Sequence, residues 1–387
     1  MLQVNPNSTI MNALYQGLLF RYIEQWLGRP ILWLACRRHV AELHLKAGVL
    51  YFMGKTTDPG VALFRRLRDE WRSLDINLDN LVLWDWDSAP EDLQMLAKDV
   101  LEWGQSHLEQ GTFPRDDYRE LLQLIVITLG GTVEGFSFRF PQADSNARWM
   151  AKAIYNLKLR LLSNIFMMTP EENSFVRLIS EFVCCVYAKY WFTTPLPTSA
   201  PREDLDFINN LQVYRRIDVK FFWEVIRSVY SHLWYLCPQL ITLSLFDKDL
   251  EAPSKEDMAK VLHQTPRCAI STGKPTFPTI APGARFRLAD FIGPESWLLF
   301  DLCELEGPQD WLLAPSSNWH LSTSFRQIEE FAKKLTVVND LAERGCHLAT
   351  EFINRVESEE QRQALYQTVL DFRAKVPNDN KESLKLC

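Results

Sequence analysis

Glycine is thin in this chain, at fifteen of 387 residues against thirteen tryptophans, and that balance argues against a turn-rich sandwich or barrel and for long helices. No apolar run approaches the roughly twenty residues that a membrane span needs. The opening "MLQVNPNSTIMNALYQ" lacks the basic segment, apolar core and small-residue cleavage site of a secretory signal, so the expectation is a soluble intracellular protein with no membrane partner. Positive charge is short as well. A net charge of −7 excludes a global basic field for nucleic acid and leaves room only for local contacts. There is no CxxC: the cysteines, at 36, 184, 185, 237, 268, 303, 346 and 387, include one adjacent pair and read as reduced, mostly buried thiols, not a zinc framework. The phosphate-binding loop, the dinucleotide fingerprint, GxSxG and HExxH are all missing, and "TLGGTVEG" matches neither glycine spacing. Nucleotide, hydrolase and metalloprotease chemistry therefore have no visible anchor.

What is present is a core-forming composition, 47% hydrophobic and 24% charged, long enough for two or three structural units. After Asn and Ser caps, "IMNALYQGLLFRYIEQWL" repeats apolar residues at three and four positions and stops at Gly28 and Pro30, which predicts an amphipathic helix. "ILWLAC" reads as one buried strand and "RRHVAELHLKAGVLYFM" as the next helix. Leu63, Phe64, Leu67 and Trp71 share one face of a further helix, with Arg65, Arg66 and Arg68 mainly off it, as a solvated face or a DNA patch would have. More helices are predicted at 91–110, 115–130, 146–167 and 171–192, and the alternating phenylalanines of "VEGFSFRFP" have strand period. The proline-rich "TTPLPTSAPRED", 193–204, marks a loop or interdomain turn. Two long apolar helices fill 205–246, interrupted at Pro238, and "SKEDMAKVLH" comes next with Ser254 as its cap. Residues 264–290 form a long proline-rich surface loop, the C-terminal third returns to helix, and no internal repeat is present.

Three constellations carry potential chemistry. Cys36 and His39, three apart in "LACRRH", can point the same way on a helical turn. Zinc would need a third and fourth ligand that nothing nearby supplies, and a cysteine nucleophile would need a base held by an orienting group. A packed cysteine beside a hydrogen-bonded histidine is the plain alternative. "DINLDNLVLWDWDSAPEDL" gathers Asp75, Asp79, Asp85, Asp87, Glu91 and Asp92, as a solvated acidic surface or a magnesium site would. In "VVNDLAERGC", Asp340 and Glu343 can share a helix face beside Arg344, as a carboxylate pair or an exposed charged stripe.

Together, "LGRPILWLACRRHVAELHL", "SNARWMAKAIYNLKLRL", "PESWLLFDL" and "VVNDLAERGCHLATEFI" resemble parts of a family of eukaryotic transposon-derived proteins with an RNase H-like core, related to the hAT-type cut-and-paste transposases. The resemblance covers most of the chain. It implies a nuclease core in which two Asp and one Glu hold two Mg2+ ions that activate water or a 3′ hydroxyl against a DNA phosphodiester. It also implies that Cys36 and His39 are the family's Cys-x-x-His, in a structural role, and that Glu343 is the final Glu. "NSTIMN" is similar to the family's Asp-Thr-Thr-x-x-Asn, but Asn7 stands where relatives carry the second Asp, and a neutral amide is a poor ligand for paired dications. Relatives carry the first Asp, its strands and a zinc finger ahead of this position. The resemblance thus implies a truncated, catalytically inactive relative with no cofactor, nuclear if family behaviour is retained and otherwise cytoplasmic.

The expected fold is mostly α, a large helical domain with a small partial RNase H-like α/β remnant. Residues 1–55 would be that remnant, 56–290 a helical insertion-type domain broken near 193–204, 291–376 the C-terminal helical part of the core, and 377–387 a disordered tail. Three functions are open: a non-enzyme with a helical association region, self-association included; a DNA-binding module using Arg37, Arg38, Arg65, Arg66, Arg68, Lys152, Lys158 and Arg160; or an enzyme of unknown type built on Cys36 and His39 or the carboxylates at 340–343. In the first, the tryptophan-rich stretches at 217–236 and 296–319 would be a partner surface or ordinary core.

Overall fold

A computed structural model describes residues 23–338, apart from 33, 54–60, 112, 114, 142–148, 233–234, 268–284 and 306–308, together with scattered positions between 358 and 371. Asn7, Asp340, Glu343 and the 377–387 tail lie outside the described residues. The chain divides into two compact units, 1–111 with 119–339 and 112–118 with 340–387, and the first contains the helical core.

The fold is helical throughout, and no strand occurs among the described residues. In order come α1 (Arg37–Met53), α2 (Ala62–Glu70), α3 (Glu91–Gln110), α4 (Asp116–Thr128), α5 (Trp149–Leu161), α6 (Pro170–Phe182), α7 (Ala188–Thr193), α8 (Ala200–Tyr214), α9 (Val219–His232), α10 (Pro238–Ile241), α11 (Ala252–Gln264), α12 (Leu298–Leu302) and α13 (Thr323–Lys333). Among the described residues no helix is long and apolar enough to cross a membrane.

Local chemistry explains most boundaries. In α3, acidic Glu91 and Asp92 occupy the first turn, Leu93, Ala97, Val100 and Gly104 make one buried stripe, and Gly111 ends the helix at φ 74°, a left-handed conformation that side chains resist. In α6 the Thr169 hydroxyl accepts from the Glu172 amide while the Glu172 carboxylate accepts from the Thr169 amide, satisfying two orphan donors. A π-helical turn, Val183–Tyr187, joins α6 to α7 and is wholly buried. The helical stretch 23–27 stops at Gly28, φ 63°, as expected.

The core is assembled where α1 packs on α9 and α5 on α6. The first approach is close because Gly48 has no side chain: a Cβ there would sit 2.8 Å from the Phe221 ring. Trp311 and Trp319 are buried against each other and against Phe325, and Trp297 packs on Phe300, which stacks on Trp311, so these tryptophans are ordinary core.

Several expectations are corrected. The described residues of "ILWLAC" are neither helix nor strand, and Leu32, Leu34, Ala35 and Cys36 are buried; polar groups there are met singly, as when the Tyr235 hydroxyl donates to Ala35 O at 2.7 Å. "VEGFSFRFP" turns at Gly135, φ 65°, and Phe136 packs by its edge on Phe138, which packs on Trp71, without a ladder, while Phe140 is exposed. With neither segment in a strand, no RNase H-like sheet exists among the described residues. The helix at Ser254 starts earlier, behind Glu251, because Pro253 suits a first-turn position where its missing amide is not needed. The expected turn at 193–204 is confined to 194–199, because Ala200–Asp204 already belong to α8; Thr194, Pro197, Ser199 and Ala200 are buried, and both flanks belong to one compact unit.

Candidate functional site

The segment "LACRRH" leads into α1. Cys36 is buried at its foot, while His39, three residues on, is exposed, so the two do not share an environment. The charge between them goes inward. Arg37 is 1% exposed: its Nη1 donates to Thr194 O at 3.2 Å, and its Nη2 donates to Ala200 O at 3.2 Å and to Asp204 Oδ1 at 2.8 Å. The Arg37 amide also donates to Val337 O at 2.9 Å. Its guanidinium lies 5.7 Å from the Tyr190 ring centre and 5.4 Å from that of Tyr235. Burial pushes the Asp204 carboxyl up from the ordinary carboxylate value, and Arg37 pulls it back. One side chain thus joins the start of α1, the 194–200 turn and the first turns of α8. Arg38, also buried, stacks over Trp191 at 5.0 Å.

A second polar group lies further along α1. His44 is fully buried beside the stacked rings of Phe207 and Tyr190, with ring centres at 5.4 and 6.2 Å, and its Nδ1 lies 3.0 Å from Ser228 Oγ on α9. One turn on, His232 Nδ1 is 2.7 Å from Ser228 O; a carbonyl only accepts, so that nitrogen carries the proton. Burial and the neighbouring His232 hold His44 well below the ordinary histidine value. The Ser228–His44 contact has the length of a nucleophile–base pair. It lacks the third group, because His44 Nε2 is buried with no hydrogen-bond partner among the described residues. What the arrangement does is fix α1 against α9. Sequence reasoning missed His44, Ser228, His232 and Asp204, since 184 residues separate His44 from Ser228 and 167 separate Arg37 from Asp204. No periodicity reports such contacts.

The eight cations offered as a DNA face are not on one face. Arg37, Arg38, Lys152 and Lys158 are buried. Lys152 lies over the Phe64 ring at 5.8 Å. Lys158 Nζ sits 2.6 Å from Glu120 Oε1 and donates to Arg139 O at 2.8 Å, and burial, opposed by Glu120, lowers its affinity for the proton. Arg66 donates to Glu172 Oε2 at 2.8 Å and to Met167 O at 2.9 Å, Arg68 lies 3.8 Å from its neighbour Asp69, and Arg160 donates to Leu83 O at 2.9 Å. Arg65 is exposed. A helical wheel puts the three arginines of α2 off the core; it could not show that their relatives on α1 and α5 point into it.

The acidic stretch is largely at the surface. Asp75, Asp79, Asp85, Asp87 and Glu91 are exposed, Asp92 pairs with Arg216, and hydrogen bonds from Ser88 hold Asp85 below the usual carboxylate range. Among the described residues no group of three or more His, Cys, Asp or Glu is placed to hold a metal ion. Burial pushes the thiols of Cys184 and Cys185 well up, that of Cys237 up to about 12 and that of Cys303 up to about 11, which disfavours the thiolate at these four positions. No family model, curated protein or solved structure matches this chain.

Proposed function

We propose that this chain is a transposon-derived protein that works without catalysis, its helical region serving protein association. The observation that carries this reading is the use made of the "LACRRH" element. In the resembled family a Cys-x-x-His lies near the nuclease core; here the same residues bracket Arg37, whose Nη1 and Nη2 donate to the 194–200 turn and to Asp204. A motif committed to holding helices together fits a structural role. Asn7 supports the same reading from the sequence, because an amide cannot supply the charge with which a carboxylate grips a dication pair, and without that grip the developing charge on the phosphoryl oxygens is uncompensated. The dispersal of Arg37, Arg38, Lys152 and Lys158 into the core weighs against a DNA-binding module.

The test is a plasmid-nicking assay with the full chain in Mg2+ and in Mn2+. The expected outcome is no cleavage above that of Glu343→Ala. Metal-dependent nicking that Glu343→Ala abolishes would overturn the proposal.

A further inference from the structure

The stretch between α2 and α3 has an alternation that neither packing nor the proposed ancestry uses. After the second of two 3-10 turns, Trp71–Ser73 and Leu78–Asn80, Leu81 is extended, φ −74° and ψ 143°, and the chain runs on without helix to Asp85. Its alternate amides are tied inward: Val82 N donates to Leu161 O at 2.9 Å and Trp84 N to Thr128 O at 2.7 Å. The Trp84 and Trp86 indoles pin the same side, donating to Glu181 Oε2 at 3.1 Å and Leu129 O at 3.0 Å. The remaining amides, those of Leu81, Leu83 and Asp85, have no hydrogen-bond partner among the described residues. In an extended chain successive amides point to opposite sides, so these three line the outer edge. On it two carbonyls are engaged, Leu83 O by Arg160 at 2.9 Å and Asp85 O by the Ser88 hydroxyl at 3.5 Å, and each oxygen keeps a second lone pair. Leu78 and Leu83 are 48% and 42% exposed, and Asp75, Asp79, Asp85 and Asp87 are exposed among them.

An unpaired, pre-extended edge is a template for another strand, which gains main-chain hydrogen bonds without the cost of ordering the receptor. The aspartates choose the occupant. A second copy of this chain laid antiparallel on the edge and centred on Leu83 would bring Asp79 of each copy towards Asp87 of the other, and like charges across a strand pair repel. A segment alternating cationic with apolar residues puts its cations on the face that carries exposed Leu83 and Asp85, where their stems cover the leucine, and its apolar residues on the opposite face, that of Val82 and Trp84. We propose that residues 81–85 form a docking edge that takes an extended, lysine- or arginine-bearing peptide segment of a partner protein by strand addition. This surface is independent of the transposon-derived reading.

The probe is a fluorescein-labelled peptide of about ten residues alternating lysine and valine, titrated by fluorescence anisotropy against the full chain at low salt. Saturable binding is expected, with no binding by the same peptide carrying glutamate for lysine. Methylating alternate backbone nitrogens of the lysine peptide keeps its charge and removes its ladder donors, and should weaken binding roughly tenfold or more without touching the protein. Asp79→Asn, Asp85→Asn and Asp87→Asn combined should weaken it roughly tenfold and flatten its salt dependence. Leu83→Pro removes an outer amide and should abolish binding. No binding of the lysine peptide would overturn the proposal, as would equal binding of the methylated one. So would a concentration-dependent dimer, seen by sedimentation and lost in Leu83→Pro, because the edge would then belong to a second copy.

Discussion

Arg37 and Arg66 each hold a carboxylate oxygen at 2.8 Å, Asp204 for the first and Glu172 for the second, and by distance alone the two pairs rank alike. Their surroundings differ. The Arg37 pair is 1% and 2% exposed, that of Arg66 37% and 26%. Both arginines belong to an Arg-Arg dipeptide close to the start of a helix, "RRHVAEL" in one and "RRLRDE" in the other. The comparison teaches that contact distance carries little information about energetic weight. At the surface, water competes for both charges and the pair adds at most about 1 kcal/mol; in the interior the charges have given up their hydration, so loss of one partner strands the other.

The sharpest way to break the comparison is Arg37→Ala, which leaves Asp204 buried without its cation and takes a donor from Thr194 O. It should cost about 3–5 kcal/mol in denaturant unfolding at neutral pH. Arg37→Met with Asp204→Leu, which removes both charges and keeps the volume, should recover most of that loss; if it does not, the cation–π seat between Tyr190 and Tyr235 carries the weight instead.

A second, smaller effect belongs to the interior alone. His44 is held neutral, so its folded-state pKa lies below the unfolded value near 6.5. The stability this reflects is present above that value and is lost as pH falls below it, when the unfolded chain takes up a proton that the buried ring refuses. His232, shifted the same way by burial, adds to the loss. Unfolding midpoints should therefore drop between pH 7 and pH 5, by up to about 1.4 kcal/mol per pH unit for one ring, and His44→Gln should flatten that slope. The smallest effect is expected at the surface. Arg66→Ala should shift stability by under about 1 kcal/mol, and added salt should shrink even that. A loss as large as that of Arg37→Ala would mean that its bond to Met167 O is a structural clamp rather than surface decoration.

Helix α3 shows what was legible: the expected 91–110 is the observed Glu91–Gln110, because the apolar spacing, the acidic first turn and Gly111 all act within one turn of where they are read. "ILWLAC" shows what was not. A short apolar run is equally compatible with a ladder strand and with an irregular segment whose polar groups are met one at a time, and only the position of Tyr235, 200 residues on, separates the two. Of the site residues, Cys36 and His39 were legible as a pair by spacing, but nothing local says that one is buried and the other exposed.

By itself the sequence determined that this protein is mostly helix, where most helices begin and end, and that its net charge is acidic, since propensity, capping and charge depend on near neighbours or on composition alone. Tertiary structure alone decided which cations lie inside, which histidine stays neutral and which backbone edge stays open. Those outcomes depend on desolvation and on partners hundreds of residues away, and the chain acquires both only when it folds.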